Sequence, residues 1–216
     1  MRTMVATTVP AAGRAGWTKY AALAAKAVLF LLLLTALFWP DLSGIKGKAS
    51  TARLVVYPLG TAVLPIWWFA YGRAKNTLHQ SFPWTADLLI TIPWLIDLLG
   101  NRLNLFDTIT WWDDAMHFLL WGLLTAGVLI AFGPRGLTRG LTAFVALGFG
   151  ATAAVIWEVG EYVAFVRHSP ELRTAYTDTL GDLTLGTLGA LLAGLIVHQV
   201  RRTQPLPPGD LSGVNH

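Results

Sequence analysis

Acidic residues and one histidine, spaced three or four positions apart, stand at the ends of three long apolar segments. Side chains with this spacing lie on one face of a helix, where two of them can reach a common ligand. Carboxylates at the ends of membrane helices cost free energy unless they are paired, hydrated or bound to a cation. The pairs are Asp113 or Asp114 with His117, Glu158 with Glu161, and Asp178 with Asp182.

These residue types predict a site for a divalent cation. Many carboxylates with one imidazole suit Mg²⁺, Mn²⁺, Ca²⁺ or Zn²⁺ better than copper or an iron–sulfur cluster. The chain has no cysteine, which excludes thiolate ligands, disulfides and a cysteine nucleophile. We predict a single pocket in which His117, Glu158 and Glu161 are the candidate catalytic residues. The predicted metal ligands are Asp113, Asp114, His117, Glu158, Glu161, Asp178 and Asp182.

Each pair also has a simpler explanation. A histidine near a helix end is commonly a hydrogen-bonded residue of the membrane interface, and Asp178 can stabilise a helix N-terminus. Glu158 and Glu161 can be solvated, although acids at a helix C-terminus oppose the helix dipole. The structural and the functional readings therefore both remain open at this point.

Composition places the chain among membrane proteins. Of its 216 residues, 54% are hydrophobic and 13% are charged, whereas a soluble domain has about 25% charged residues. The apolar residues form long runs, which predict an all-α, polytopic membrane bundle with the lipid bilayer as its surroundings. The net charge of +4 is not gathered in a dense basic patch, so no nucleic-acid partner is expected.

Six apolar runs predict about six transmembrane helices in one membrane domain over residues 17–202, with disordered tails at 1–16 and 203–216. The third run is short for a span and contains two prolines. Lys26 lies inside the first run, where its side chain can extend toward the N-terminal side of the membrane. The predicted spans are 20–39, 54–71, 82–99, 115–132, 141–163 and 183–200.

An even number of spans puts both termini on one side of the membrane. More Lys and Arg residues fall outside the spans on that side than on the other, which favours cytoplasmic termini in a bacterial plasma membrane. The candidate site residues all fall on the opposite face. In the sixth span, small residues at four-residue intervals follow Asp182, so its face is predicted to pack into the bundle. The stripe is Asp182, Gly186, Ala190 and Gly194, flanked by Gly189 and Ala193.

The order of these motifs resembles the YjdF-like family of bacterial inner-membrane proteins, which has no established activity. Asp113 with His117-Phe118, the segment from Trp157 to Tyr162, and Asp178-Thr179 with Asp182 match its three signatures, mainly over residues 84–195. Where that family has an asparagine in the last signature, this chain has Gly186. The chain is also faintly similar to VanZ-like membrane proteins. Neither resemblance implies a substrate.

Three kinds of function fit the sequence. The first is a divalent-cation site, catalytic on a lipid or isoprenoid phosphate, in which the metal neutralises phosphate charge and a carboxylate acts as base. The second is proton- or cation-coupled transport, which the lack of repeat symmetry disfavours. The third is a non-catalytic bundle whose acids form a structural polar network. Whether the protein is an enzyme therefore stays open from sequence, as does its oligomeric state.

Overall fold

The computed structural model describes residues 14–45, 50–76, 78 and 81–203, and all the regular elements in these ranges are helices. The chain divides into two compact units, Met1–Thr110 and Trp111–His216. Two short 3-10 turns, Val166–His168 and Pro170–Arg173, precede the last helix. The predicted all-α class is confirmed. The α-helices are α1 (Arg14–Phe38), α2 (Pro40–Ser43), α3 (Ser50–Lys75), α4 (Trp84–Arg102), α5 (Leu105–Thr108), α6 (Trp112–Phe132), α7 (Arg139–Ala164) and α8 (Ala175–Thr203).

Among the described residues, five helices have the length and apolar composition needed to cross a bilayer: α1, α3, α6, α7 and α8. Large apolar side chains on these helices are exposed, including Phe144 at 72% and Ile156 at 68%. Such surfaces suit lipid tails, which solvate apolar side chains at no cost. The chain is therefore a multi-pass membrane protein by the character of its helices.

Helix α4 occupies the third predicted span but is not one of these five. It carries Asp87, Asp97 and Arg102, and it has Pro93 inside it. Its 19 residues rise about 28 Å along the helix axis, close to the roughly 30 Å of a hydrocarbon core. Its length is therefore sufficient for a span, and its polar residues explain why hydropathy is low.

The predicted spans each coincide with one long helix, but the helix ends differ. Helix α8 begins at Ala175, eight residues before the predicted span, and α6 begins at Trp112. Helices continue beyond the apolar stretch because backbone hydrogen bonding does not stop at the membrane edge. Arg14–Gly16 and Thr203, which the sequence predicts to be parts of the tails, are helical, whereas the tail residues 1–13 and 204–216 lie outside the described residues.

In the first unit, an ion pair joins α1 to α4. The Lys26 ammonium lies 2.5 Å from a carboxylate oxygen of Asp87, whose side chain is 1% exposed. Beside this pair, Ala22 and Ala25 pack against Leu88. The sequence did not indicate this partner for Lys26, and its expected extension toward the N-terminal side of the membrane stays a prediction.

A second polar network in the first unit links α3 to α4. Asp97 accepts hydrogen bonds from the Tyr57 hydroxyl and from Nε of Arg53, 3.3 Å away. Asn101, one turn further along α4, donates to the backbone oxygen of Asp97 at 3.0 Å. Tyr57, Arg53 and Asn101 are buried. Buried polar groups cost free energy unless they are hydrogen-bonded, and these residues supply hydrogen-bond partners to one another.

In the second unit, α8 packs against both α6 and α7. The predicted inward stripe is confirmed, since its members from Asp182 to Gly194 are buried. Glycine is required at Gly189, because a Cβ there would overlap the backbone carbonyl of Phe118 on α6. A Cβ at Gly122 on α6 would in turn meet the backbone of Gly189. The backbones of α6 and α8 thus approach closely, as small residues allow.

The C-terminal ends of α6 and α8 are also joined. The Arg201 guanidinium, at the end of α8, donates hydrogen bonds to the backbone oxygens of Leu129, Gly133 and Pro134 at 2.6, 3.3 and 3.1 Å. Leu129 lies in the last turn of α6, where its carbonyl also accepts a hydrogen bond from the Gly133 N–H, and Gly133 and Pro134 directly follow the helix. A cation there also compensates the negative end of the helix dipole. The Arg201 side chain therefore links the end of α8 to the end of α6, next to the buried cluster of Leu129, Ala146 and Val197.

Gly189→Ala should destabilise the second unit. The added methyl group meets a backbone carbonyl, which cannot move without shifting α6, so we expect a loss of about 1–3 kcal/mol. Gly181→Ala on the same helix is the control, since nothing lies within 4 Å of a Cβ there. Thermal unfolding of both variants in detergent checks this. Equal melting temperatures for the two variants would contradict the close approach.

Lys26→Met should destabilise the first unit by about 3–5 kcal/mol, because a buried carboxylate loses its partner. The double variant Lys26→Met/Asp87→Asn removes both charges and should recover most of the loss. Chemical unfolding in detergent micelles distinguishes the two variants. If the double variant were as unstable as the single one, the lysine would contribute by packing and not by its charge.

Candidate metal centre

The candidate site is assembled at one end of the second unit. His117 lies in the second turn of α6, Asp182 lies two turns into α8, and Glu158 lies in the last turns of α7. Consecutive antiparallel membrane helices bring the start of α6, the end of α7 and the start of α8 to the same membrane face. This convergence depends only on these three helices, so it holds whether or not α4 crosses the membrane.

The His117 imidazole stands at the centre of the site. Its Nδ1 atom lies 3.0 Å from Oδ1 of Asp182 and 3.3 Å from Oδ1 of Asp113. Ligand atoms of Asp113, His117 and Asp182 all lie within 4.8 Å of one another, so these residues could hold a metal ion. A carboxylate and histidine triad, formed by three of the seven metal ligands predicted from sequence, therefore exists in the structure.

Three oxygens surround one nitrogen of this ring. Besides the two carboxylate oxygens, the backbone oxygen of Asp113 lies 3.2 Å from Nδ1. A ring nitrogen carries at most one hydrogen, and an ionised carboxylate only accepts hydrogen bonds. One proton on His117 therefore cannot serve all three oxygens at once. A proton on one of the carboxylates, a basic partner or a bound cation would each relieve this crowding of acceptors around Nδ1.

Glu158 faces the other side of the ring. Its Oε1 atom lies 3.5 Å from Nε2 of His117, and its Oε2 atom accepts a hydrogen bond from Oγ1 of Thr179 at 3.2 Å. Oε1 itself is buried and accepts no hydrogen bond from the described residues. Buried carboxylate oxygens without a donor are costly and uncommon, so this atom is expected to gain one.

The site is closed on the helix side and open at its rim. Side-chain exposure is 6% for Asp182, 10% for Glu158 and 12% for His117, but 36% for Asp113. Asp113 is therefore the member of the triad that is most exposed, while the imidazole and Asp182 are shielded. Partial burial also strengthens electrostatic interactions within the site.

Three of the predicted site residues, Asp114, Glu161 and Asp178, are not part of this triad. Asp114 and Asp178 are exposed, and Glu161 is half-buried. None of these three belongs to the group whose ligand atoms lie within 4.8 Å. Asp178 is nevertheless near enough to interact electrostatically with Asp113, Glu158 and His117. Their direct participation as ligands or catalysts stays a prediction.

One helical turn after the triad, a packing contact fixes the distance between α6 and α8, the two helices that carry the triad. Trp121, four positions after His117, covers Gly186, four positions after Asp182, and a Cβ at Gly186 would overlap the indole ring. An asparagine at this position would need the space that the indole fills. Trp121 therefore explains why this chain has glycine at Gly186.

Sequence reasoning did not assign roles to Thr179 and Trp121. Thr179 was visible as the neighbour of Asp178, but its hydrogen-bond partner lies 21 positions away on another helix. Trp121 follows His117 by one helical turn, which places it on the same face. That spacing was the available signal for Trp121, and its contact with Gly186 depends on how α6 and α8 pack.

Comparison with known proteins gives one family. The family model described as "Predicted membrane protein (DUF2238)" matches residues 24–203. This range includes every residue of the site from Asp113 to Asp182. No curated protein and no solved structure matches the chain.

Proposed function

Since the chain belongs to the DUF2238 family of predicted membrane proteins, we propose that it works at the membrane through a divalent cation held by Asp113, His117 and Asp182. The observation that carries this proposal is the crowding of three oxygens around Nδ1 of His117. A cation relieves that crowding, because it attracts both carboxylates and accepts the nitrogen lone pair.

Charge supports a divalent ion. When ionised, Asp113 and Asp182 carry two negative charges, which a divalent cation neutralises, and Glu158 adds a third close by. A proton on the imidazole would neutralise only one of them. One nitrogen and two carboxylates are ligands that Mn²⁺ and Zn²⁺ accept well, while Mg²⁺ and Ca²⁺ accept mainly oxygen.

The position of the site supports a substrate from the membrane surface. The triad lies near the ends of membrane-length helices. Trp111, directly before α6, is 60% exposed, and Tyr176, in the first turn of α8, is 80% exposed. Aromatic residues of this kind are typical of the boundary between lipid tails and water. Three protein ligands also leave coordination positions for another molecule.

We therefore propose that the bound ion acts on the phosphate group of a lipid or isoprenoid phosphate. The ion would neutralise the charge of the phosphate oxygens, and a nearby carboxylate would accept a proton from the attacking water. Asp114, Glu161 and Asp178 are available for that role outside the triad. Arg167 and Arg173 are exposed in the connection between α7 and α8 and can attract an anionic headgroup.

For the membrane topology, we propose that α4 forms a sixth span. Its length is close to that of a hydrocarbon core, and its acids are paired within the first unit. Both termini would then share the cytoplasmic side of a plasma membrane, and the site would face the other side. The narrower resemblance to the YjdF-like family fits this arrangement.

Metal content tests the ion site. Protein purified in detergent and loaded with Mn²⁺ should retain a single ion per chain after removal of excess metal, and Asp182→Asn should lose it. The control is Asp107→Asn, an exposed acid of α5, which should retain the ion. Absence of metal from the unaltered protein, or equal retention by Asp182→Asn, would overturn the site and favour a structural polar network.

Phosphate release tests the reaction. With Mn²⁺ bound, the protein should release inorganic phosphate from an isoprenoid or diacylglycerol phosphate in mixed micelles, and Asp182→Asn should abolish this release. Metal binding without phosphate release would refute the catalytic part alone. Proton-coupled movement of the ion across sealed vesicles would then favour the transport hypothesis.

A further inference from the structure

The two nitrogens of His117 face different groups. Nδ1 faces carboxylate oxygens of Asp113 and Asp182, at 3.3 and 3.0 Å, and the backbone oxygen of Asp113, at 3.2 Å, whereas Nε2 lies 3.5 Å from a carboxylate oxygen of Glu158. A neutral imidazole has one nitrogen that donates a hydrogen bond and one that offers a lone pair. The group that faces each nitrogen therefore decides which nitrogen can bind a metal.

Glu158 is held in place from behind. Thr179 on α8 donates a hydrogen bond to its Oε2 atom at 3.2 Å, so the carboxylate is fixed between α7 and α8. This leaves Oε1, which is buried and has no donor among the described residues, directed at Nε2 of His117. The distance of 3.5 Å exceeds a normal N–H···O hydrogen bond, and a shift of a few tenths of an ångström would close it.

We infer that Glu158, positioned by Thr179, receives the Nε2 hydrogen of His117 and so directs the Nδ1 lone pair at a cation bound between Asp113 and Asp182. This inference rests on the ion site of the proposed function. It makes Glu158 a positioning residue that acts through the imidazole and not a ligand. Histidine ligands commonly donate their second N–H to a carboxylate in this way, which fixes the ring and raises its basicity.

The same arrangement selects the class of ion. A fixed imidazole nitrogen beside two carboxylates favours ions that bind nitrogen well, such as Mn²⁺ and Zn²⁺. Mg²⁺ and Ca²⁺ prefer oxygen ligands and gain little from an oriented imidazole. Glu158 should therefore contribute strongly to the binding affinity for Mn²⁺ and Zn²⁺ and weakly to the affinity for Mg²⁺ and Ca²⁺.

The test measures Mn²⁺ and Mg²⁺ affinities of Glu158 and Thr179 variants in detergent. Glu158→Gln should weaken Mn²⁺ binding by about 10–100-fold while changing Mg²⁺ binding much less. Thr179→Val should also weaken Mn²⁺ binding, and Thr179→Ser, which restores the hydroxyl, should recover it. Glu171→Gln, an exposed glutamate in the turn before α8, is the matched control and should bind like the unaltered protein.

A spectroscopic measurement separates positioning from general destabilisation. In the Zn²⁺-loaded protein with ¹⁵N-labelled histidine, the His117 resonances should show a hydrogen on Nε2 and metal on Nδ1. The Thr179→Val variant keeps the carboxylates of Asp113 and Asp182. It therefore tests whether Thr179 acts on His117 through Glu158, even if Glu158→Gln fails to fold. Metal on Nε2, or Mn²⁺ affinity unchanged in the folded Glu158 and Thr179 variants, would overturn the inference while leaving the ion site intact. Absence of bound metal in the unaltered protein would overturn both.

Discussion

The close approach of the α6 and α8 backbones is the constraint on which the site depends. At Gly189 the backbones of the two helices leave no room for a side chain. The space is filled by the backbone carbonyl of Phe118, the residue directly after His117. A wider separation would carry Asp182 away from the imidazole, because both residues lie within two turns of that contact. The 3.0 Å between Asp182 and His117 is thus a consequence of glycine placement. In lipid, such packing replaces the hydrophobic effect as the force that joins helices.

The two units handle buried charge in different ways. In the first unit, Asp87 has Lys26, and Asp97 has Arg53 and Tyr57, so each acid is matched by groups on a neighbouring helix. In the second unit, Asp113, Glu158 and Asp182 share one imidazole. An excess of acid over base near a membrane helix end is more readily explained by a ligand than by stability. That contrast, visible within each unit taken alone, is the basis for proposing that the second unit carries the function.

Much of this site could be predicted from sequence, because local spacing determines which residues share a helix face. The pairing of Asp113 with His117 and the inward direction of Asp182 follow from the helical repeat and the small residues after it. The partner of Lys26, 61 positions away, could not be predicted, since periodicity within one helix says nothing about which helix lies beside it. The sequence also could not predict which of the acids lies next to the His117 imidazole. Glu158 and Glu161 look equivalent in sequence, and only the packing of α7 directs the first of them toward the imidazole.

Arg201 has a consequence for the order in which the protein is made. The carbonyls of Leu129, Gly133 and Pro134 find their donor 67 to 72 residues later in the chain. During synthesis, α6 and α7 are therefore made before α8, the helix that carries both Asp182 and Arg201. Until α8 is made, the carbonyls of Gly133 and Pro134 lack this donor, and His117 lacks Asp182 as a neighbour. The cluster of Asp113, His117 and Asp182 can therefore form only after α8 has been made, and a chain that ends before α8 lacks both Asp182 and Arg201.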